Sequence, residues 1–197
     1  GVGEPSRVDA LASLGRFGTY QLGFGSGGSV NDSAWYRFDL SHRESDGYVE
    51  RMDPSSLNAT GSLLWRASDT VSMKFSFDYL NDELADYWGT PLVPTASAKN
   101  PMNSVISTRT GETLDEAMRG LNYNVNDSRA ESNQLFLRGD ITWKPADNVT
   151  IKNTIYNFNA DREWLNAEGY VYCTSVVDVC TETVSYTHLR AHETIDD

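Results

Sequence analysis

The chain has no long apolar run. No stretch approaches the roughly 18 consecutive apolar residues of a transmembrane helix, so a helical span is excluded. Cationic residues are scarce: 16 Lys and Arg stand against 28 Asp and Glu, for a net charge of −12. A nucleic-acid partner is therefore not expected, because phosphate binding needs clustered Lys and Arg. Cysteine is limited to Cys173 and Cys180, and histidine to three residues. No nucleophile elbow, zinc cluster or usefully spaced carboxylate pair occurs, so an enzyme is not expected. "GFGSGG" at Gly23–Gly28 is glycine-rich, but a strand pattern follows it where a phosphate loop needs a helix; it is read as a turn. No signal peptide opens the chain, and Gly1 stands where Met would, so the N-terminus is expected to be processed or cut.

What the sequence does have is period-two alternation, the mark of strands with one apolar face. In "VSMKFSFDY", Val71, Met73, Phe75, Phe77 and Tyr79 fall on one face, and Ser72, Lys74, Ser76 and Asp78 on the other. "AWYRFDLS" sets Ala34, Tyr36, Phe38 and Leu40 against Trp35, Arg37, Asp39 and Ser41. "LFLRGDITWK" repeats the pattern from Leu135, and "TYQLGFG" places Tyr20, Leu22 and Phe24 together. Weaker runs lie near Arg7–Leu14, Leu57–Arg66 and Val149–Phe158. Seven antiparallel strands are expected.

The connections alternate as well. "GRFG", "GSGGSVND", "ASD" and "PAD" are short; residues 42–55, 81–134 and 159–183 are long. In an up-and-down sheet this gathers the long loops at one end. A compact soluble domain rarely needs so long a loop as 81–134, whereas outer-membrane barrels pair short periplasmic turns with long extracellular loops. Trp35, Trp65, Trp143 and Tyr79 sit at strand ends, where an aromatic girdle would lie. The long loops carry most of the negative charge, which suits a solvated surface or divalent-ion bridging to anionic lipid headgroups. "TLDE" at Thr113–Glu116 matches a capping box, so a short helix is expected inside the longest loop. Asn31, Asn58, Asn126 and Asn148 each begin a glycosylation sequon; in a bacterial protein these go unused.

Longer stretches resemble a known family. "GRFGTYQLGFGSGG…AWYRFDLSHRESDGYVERM" resembles the first barrel strands of TonB-dependent outer-membrane receptors of the ferric-siderophore type. "LNYNVNDSRAESNQLFLRGDITWKPADNVTIKNTIYNFNADREWLNAEGY" resembles that family more closely still, and "YWGTPL" at Tyr87–Leu92 is similar to its third extracellular loop. The resemblance covers roughly residues 1–183. It implies an all-β fold: antiparallel up-and-down strands forming part of a 22-stranded barrel. Residues 1–5 would be a plug–barrel junction and 6–183 part of the barrel. The plug domain, its energy-coupling box and the remaining strands are missing, so the chain is expected to be an internal fragment, unable to transport by itself.

The tail "VSYTHLRAHETIDD" raises a separate question. His188 and His192 are four residues apart with Glu193 beside them, which on a helix is the local geometry of a zinc site. From Val184 to Thr194, however, the tail resembles the translation of a transposase-type sequencing adapter. Residues 184–197 are therefore expected to be an artefact and no metal site is expected. Independent reads across Thr183 should continue into other sequence.

The family resemblance implies uptake of a ferric siderophore across the bacterial outer membrane, energised by the TonB–ExbB–ExbD complex through the missing plug. Its partners would be that complex, the siderophore and outer-membrane lipid, with no cofactor; the cargo brings the iron. Candidate ligand-binding residues are Tyr87 and Trp88 in the longest loop and Arg162, Trp164, Tyr170 and Tyr172 in the next, since aromatic faces pack on a chelate and Arg pairs with anionic oxygens. They could equally pack the loops against each other. Cys173 and Cys180, in one polar loop of an exported protein, are expected to form a disulfide, which alkylation without reductant would check. Inward-facing Arg37, Arg66 and Arg138 are expected to pair with plug or lumen carboxylates. Two other functions remain: TonB-dependent uptake of cobalamin, haem or an oligosaccharide, and, in another class, a soluble β-sandwich module for binding or adhesion.

Overall fold

The computed structural model describes residues 5–84, 86–87, 89–102 and 111–166. Its strands are β1 (Arg7–Leu14), β2 (Tyr20–Asn31), β3 (Ala34–Glu44), β4 (Ser55–Arg66), β5 (Val71–Leu84), β6 (Val93–Pro94), β7 (Glu112–Thr113), β8 (Arg129–Ala146) and β9 (Val149–Leu165). Seven form one antiparallel sheet in the order β1-β2-β3-β4-β5-β8-β9. β6 and β7 make a separate small hairpin inside the β5–β8 connection. All seven strands of the large sheet coincide with the runs of alternation, and the architecture is the expected all-β up-and-down one.

Strand ends differ from expectation. "GSGGSVND" is not a loop: Gly25–Asn31 belong to β2, and the chain reverses only at Asp32 and Ser33. β5 runs on to Leu84, β8 begins at Arg129 and β9 continues to Leu165. The capping expectation at "TLDE" shifts by two residues. A single 3-10 turn, Glu116–Met118, is capped by Asp115, whose carboxylate accepts from Ala117 N, while Thr113 lies in β7.

Residues opposite one another in a ladder share a face. One cross-strand row reads Phe38, Gly61, Phe77 and Leu137, and the next reads Tyr36, Leu63, Phe75, Gly139 and Ile155. This face is apolar and uncovered: Phe75 is 48% exposed and Ile155 70%. The opposite face carries the row Arg37, Ser62, Ser76, Arg138 and, beside it, Asp39, Thr60, Asp78. Among the described residues the only buried apolar side chains are Ala34, Val49, Val93 and Ala130. No second sheet covers the apolar face there, so the sandwich of the soluble alternative is not formed among the described residues. In water each Å² of that face would cost about 25 cal/mol; in hydrocarbon it costs nothing. From Leu57 to Trp65 the strand covers about 26 Å, or about 20 Å along the normal at a typical barrel tilt. That is close to the ~25 Å lipid band of such barrels.

Two devices hold the sheet in register. On the apolar face, Gly61 leaves a gap that the Phe77 ring fills, and Phe77 meets Phe38 at 6.4 Å between centroids. On the polar face of β2 the side chains are absent at Gly23, Gly25 and Gly27, all strand residues. Arg37 of β3 can thus lie over β2, holding Asp39 through Nε at 2.6 Å and approaching Asp9 of β1 at 3.8 Å. These pairs are about half exposed, so each is worth at most about 1 kcal/mol. Glycine here serves close approach across a strand rather than a turn.

Candidate ligand-capture loops

The register places four parts of the chain at one end of the sheet: the β1–β2 turn, the β3–β4 loop, the β5–β8 connection and the end of β9 at Leu165. Three of them lock together. Phe17 O accepts from Asp46 N at 2.9 Å and from Ser45 Oγ at 3.2 Å, joining the first turn to the second loop. Phe17 packs against Tyr48 (6.2 Å), and Tyr48 meets Tyr87 edge-on at 6.0 Å. Val49 is 2% exposed, and Glu50 N donates to Gly120 O at 3.0 Å. Arg51 donates to Asn122 O at 2.6 Å, to Asn124 O at 3.2 Å and to Asn126 Oδ1. The side-chain amides of buried Asn122 and Asn124 both reach Asp86 O at 3.4 Å.

Two carboxylates in the longest connection sit in opposite environments. Asp115 accepts backbone N–H groups from Lys99 at 2.7 Å, Asn100 at 3.2 Å and Ala117 at 3.0 Å. The Lys99 bond first, then that of Ala117, holds its carboxyl below the usual range. Asp86 has a buried Oδ2 with no hydrogen-bond partner, and burial pushes its carboxyl up, against a smaller opposing effect of Asn124. The signs follow from linkage. Asp115 stabilises the loop above its unfolded value of about 4, and that contribution is lost as pH falls through its lower folded value. Asp86 acts in reverse, favouring the folded loop when protonated. Protease resistance of residues 95–102 and 111–119 should therefore hold from pH 7 to 5 and fall below about pH 4. Asp115→Ala should be cleaved readily at neutral pH, whereas Asp86→Asn should keep the acid sensitivity. A flat profile in the unsubstituted protein would remove Asp115 from this role.

No family model and no curated protein matches the sequence. Solved structures do match in fold. The closed form of the ferric-catecholate import receptor Fiu from E. coli K12 superposes with a TM-score of 0.68 at 14% identity, covering 97% of this chain and 26% of the receptor chain. Its open form gives 0.69 at 13%, covering 98% and 29%. The fold is that of a segment of a receptor β-barrel. The chain spans between 26% and 29% of those receptor chains, and at such identity the likeness is one of fold.

Within that barrel segment the apolar face carries Trp65 and Trp143 at the short-turn end, as a girdle requires. Trp35 does not join them: it pairs with Leu64 on the polar face, where the Arg66 guanidinium lies 5.2 Å from its ring centroid. Arg66 thus stacks on an aromatic ring, while Arg37 and Arg138 pair with Asp39 and Asp140 on their own strands. Tyr79 lies on the apolar face away from the girdle end, its hydroxyl accepting from the Asn133 amide at 3.3 Å.

Of the expected ligand residues, Tyr87 is in the loop cluster, its hydroxyl bonded to Thr90 Oγ1 at 2.7 Å. Arg162 and Trp164 are not in a loop. Both belong to β9 and share the polar face, opposite Ser132 and Ala130. Arg162 is exposed and Trp164 half-buried, near the rim under the loops. No ring contact joins Trp164 to Tyr87 among the described residues. Trp88, Tyr170, Tyr172, Cys173 and Cys180 lie outside the described residues, as do residues 1–4 of the expected junction and the tail 184–197. Sequence reasoning passed over Phe17, Tyr48 and Arg51. Deeper in the polar face, a recess of about 410 Å³ lies among Arg37, Lys74, Arg138, Thr60, Ser62 and Ser76.

Proposed function

We propose that the chain is part of an outer-membrane receptor barrel that imports ferric siderophores, energised by TonB–ExbB–ExbD acting through a plug domain. The likeness to Fiu over nearly the whole chain carries this reading. The uncovered apolar face bounded by Trp65 and Trp143, and the gathering of loops at the opposite end, support it. In this reading the polar face lines the lumen and the apolar face meets lipid. Tyr87, Trp88, Tyr170 and Tyr172 offer aromatic surface to the chelate from above, and Arg162 and Trp164 meet it at the rim. The Cys173–Cys180 disulfide would restrain the last of these loops by roughly 2–3 kcal/mol. The protein transports rather than catalyses, so no side chain is assigned redox or hydrolytic chemistry.

The test is growth of an iron-starved strain lacking its own receptors, complemented with the full-length gene and supplied with defined ferric siderophores. Growth should appear with one siderophore and require TonB. Replacing both Trp88 and Trp164 by Ala should raise the siderophore concentration for half-maximal growth about tenfold, equivalent to losing about 1.4 kcal/mol of binding. Rescue by cobalamin, haem or an oligosaccharide, and by no iron chelate, would reassign the cargo.

A further inference from the structure

We propose that Arg51 is a positioning residue that makes the β3–β4 loop and the β5–β8 connection a single rigid unit, setting Tyr48 and Tyr87 as one aromatic surface. Its backbone has φ 59°, in the left-handed region that residues other than glycine and asparagine seldom occupy. Such a conformation persists where the surroundings over-determine it, and here they do. The guanidinium fork reaches three acceptors on a segment 71 to 75 residues away in the chain: the carbonyls of Asn122 and Asn124 and the side-chain oxygen of Asn126. None is a carboxylate, and no carboxylate forms an ion pair with Arg51 among the described residues. The charge therefore serves to polarise donors toward backbone carbonyls. A lysine carries its donors on a single nitrogen and lacks the fork by which Nη1 reaches Asn126 while Nη2 reaches Asn122 and Asn124.

The neighbouring residues extend the bolt in both directions. On the Arg51 side, Glu50 N donates to Gly120 O at 3.0 Å, Val49 is buried, and Tyr48 follows. On the far side, the amides of Asn122 and Asn124 hold Asp86 O, and Tyr87 follows. Of the two tyrosines that meet edge-on at 6.0 Å, Tyr48 lies one short step along the chain from Arg51, and Tyr87 directly follows Asp86, which the Asn122 and Asn124 amides reach. Their relative placement is thus fixed by Arg51 from one loop and by Asn122 and Asn124 from the other. This inference deepens the proposed ligand-capture role of the loops and rests on that reading for its purpose, though not for its test.

The test is amide hydrogen exchange of the full-length protein in detergent, with no ligand present. Arg51→Ala should raise exchange about tenfold or more in residues 46–52 and in residues 120–126 together, leaving β4 and β8 unchanged. Arg51→Lys should behave like Ala in residues 120–126. Arg51→Gly, which relaxes the backbone but removes the fork, should open both segments as Ala does. Exchange that rises in residues 46–52 alone would overturn the proposal, as would Arg51→Gly retaining wild-type protection. Arg51→Ala combined with Asn126→Ala should be no more open than Arg51→Ala; additive opening would also overturn it. Because no ligand enters the measurement, a negative growth assay would sink the siderophore reading and leave this coupling standing.

Discussion

Phe75→Arg is expected to weaken assembly of the intact barrel in the outer membrane markedly, while Thr60→Arg leaves it assembled. Phe75 lies on the apolar face between Leu63 and Gly139, within the band bounded by Trp65 and Leu57. In the proposed barrel a cation there faces hydrocarbon, which costs at most about 2–4 kcal/mol, the value at the midplane. That lowers the folding equilibrium constant roughly 30-fold to several hundred-fold, since each 1.4 kcal/mol is tenfold. Thr60 lies on the other face, directly opposite Asp39 of β3 and Asp78 of β5. An arginine there enters the wet side between two carboxylates. Same strand sheet, same new charge, opposite faces: only the environment differs. The measurement is the heat-dependent gel shift of the protein extracted from outer membranes. Equal assembly of the two variants would mean that the apolar face does not meet lipid, and the receptor-barrel reading would lose its main physical support.

That face was readable in the sequence because successive side chains of a strand point to opposite faces, so one apolar face gives period-two alternation. The seven strands coincide with the apolar runs for this reason, and so does their up-and-down order. Strand ends were less readable, and the reason is the same one inverted. Beyond Tyr79 the apolar face turns to Asn81 and Glu83, opposite Asn133 and Glu131, which in turn face Asp161 and Glu163. Hydrogen bonding continues there, but this face is now polar and the other mixes Leu80, Leu84, Ala130 and Trp164 with Asp82, Ser132 and Arg162, so the period-two signal fades while the ladder runs on. The glycine run of β2 misleads for a different reason. Gly25 and Gly27 look like turn residues, but they clear a path for Arg37 toward Asp9, a long-range contact invisible to local composition. The loop cluster shows the limit most sharply. Tyr87 stood out as an aromatic in a long loop, yet nothing near Arg51 in the chain announces that it grips Asn122, Asn124 and Asn126.

Gly61→Val should destabilise the barrel, and Phe77→Leu should partly rescue it. Gly61 lies opposite Phe38 on one side and Phe77 on the other. A Cβ at residue 61 would overlap the Phe77 ring, so the ring must move. Moving it breaks the tilted Phe38–Phe77 contact at 6.4 Å, worth about 0.5–1.5 kcal/mol. Forcing extra carbon into a filled site adds about 1–3 kcal/mol. Gly61→Ala should show the smaller loss and Gly61→Val the larger, read as a lower urea midpoint in lipid vesicles. Phe77→Leu alone should also destabilise, because it uncovers Gly61 and loses the ring pair. In the double variant Gly61→Val/Phe77→Leu the branched residue takes the space the ring gives up, so the combined loss should fall short of the summed single losses by about 1 kcal/mol or more. Gly139→Ala is the internal reference. A Cβ there would meet Ile155 Cγ2 at 3.3 Å, a contact a side chain can relieve by a small shift. It should cost clearly less than Gly61→Val. Additive losses at 61 and 77 would mean that the ring does not occupy the glycine gap, and the register of β4 against β5 would need another cause.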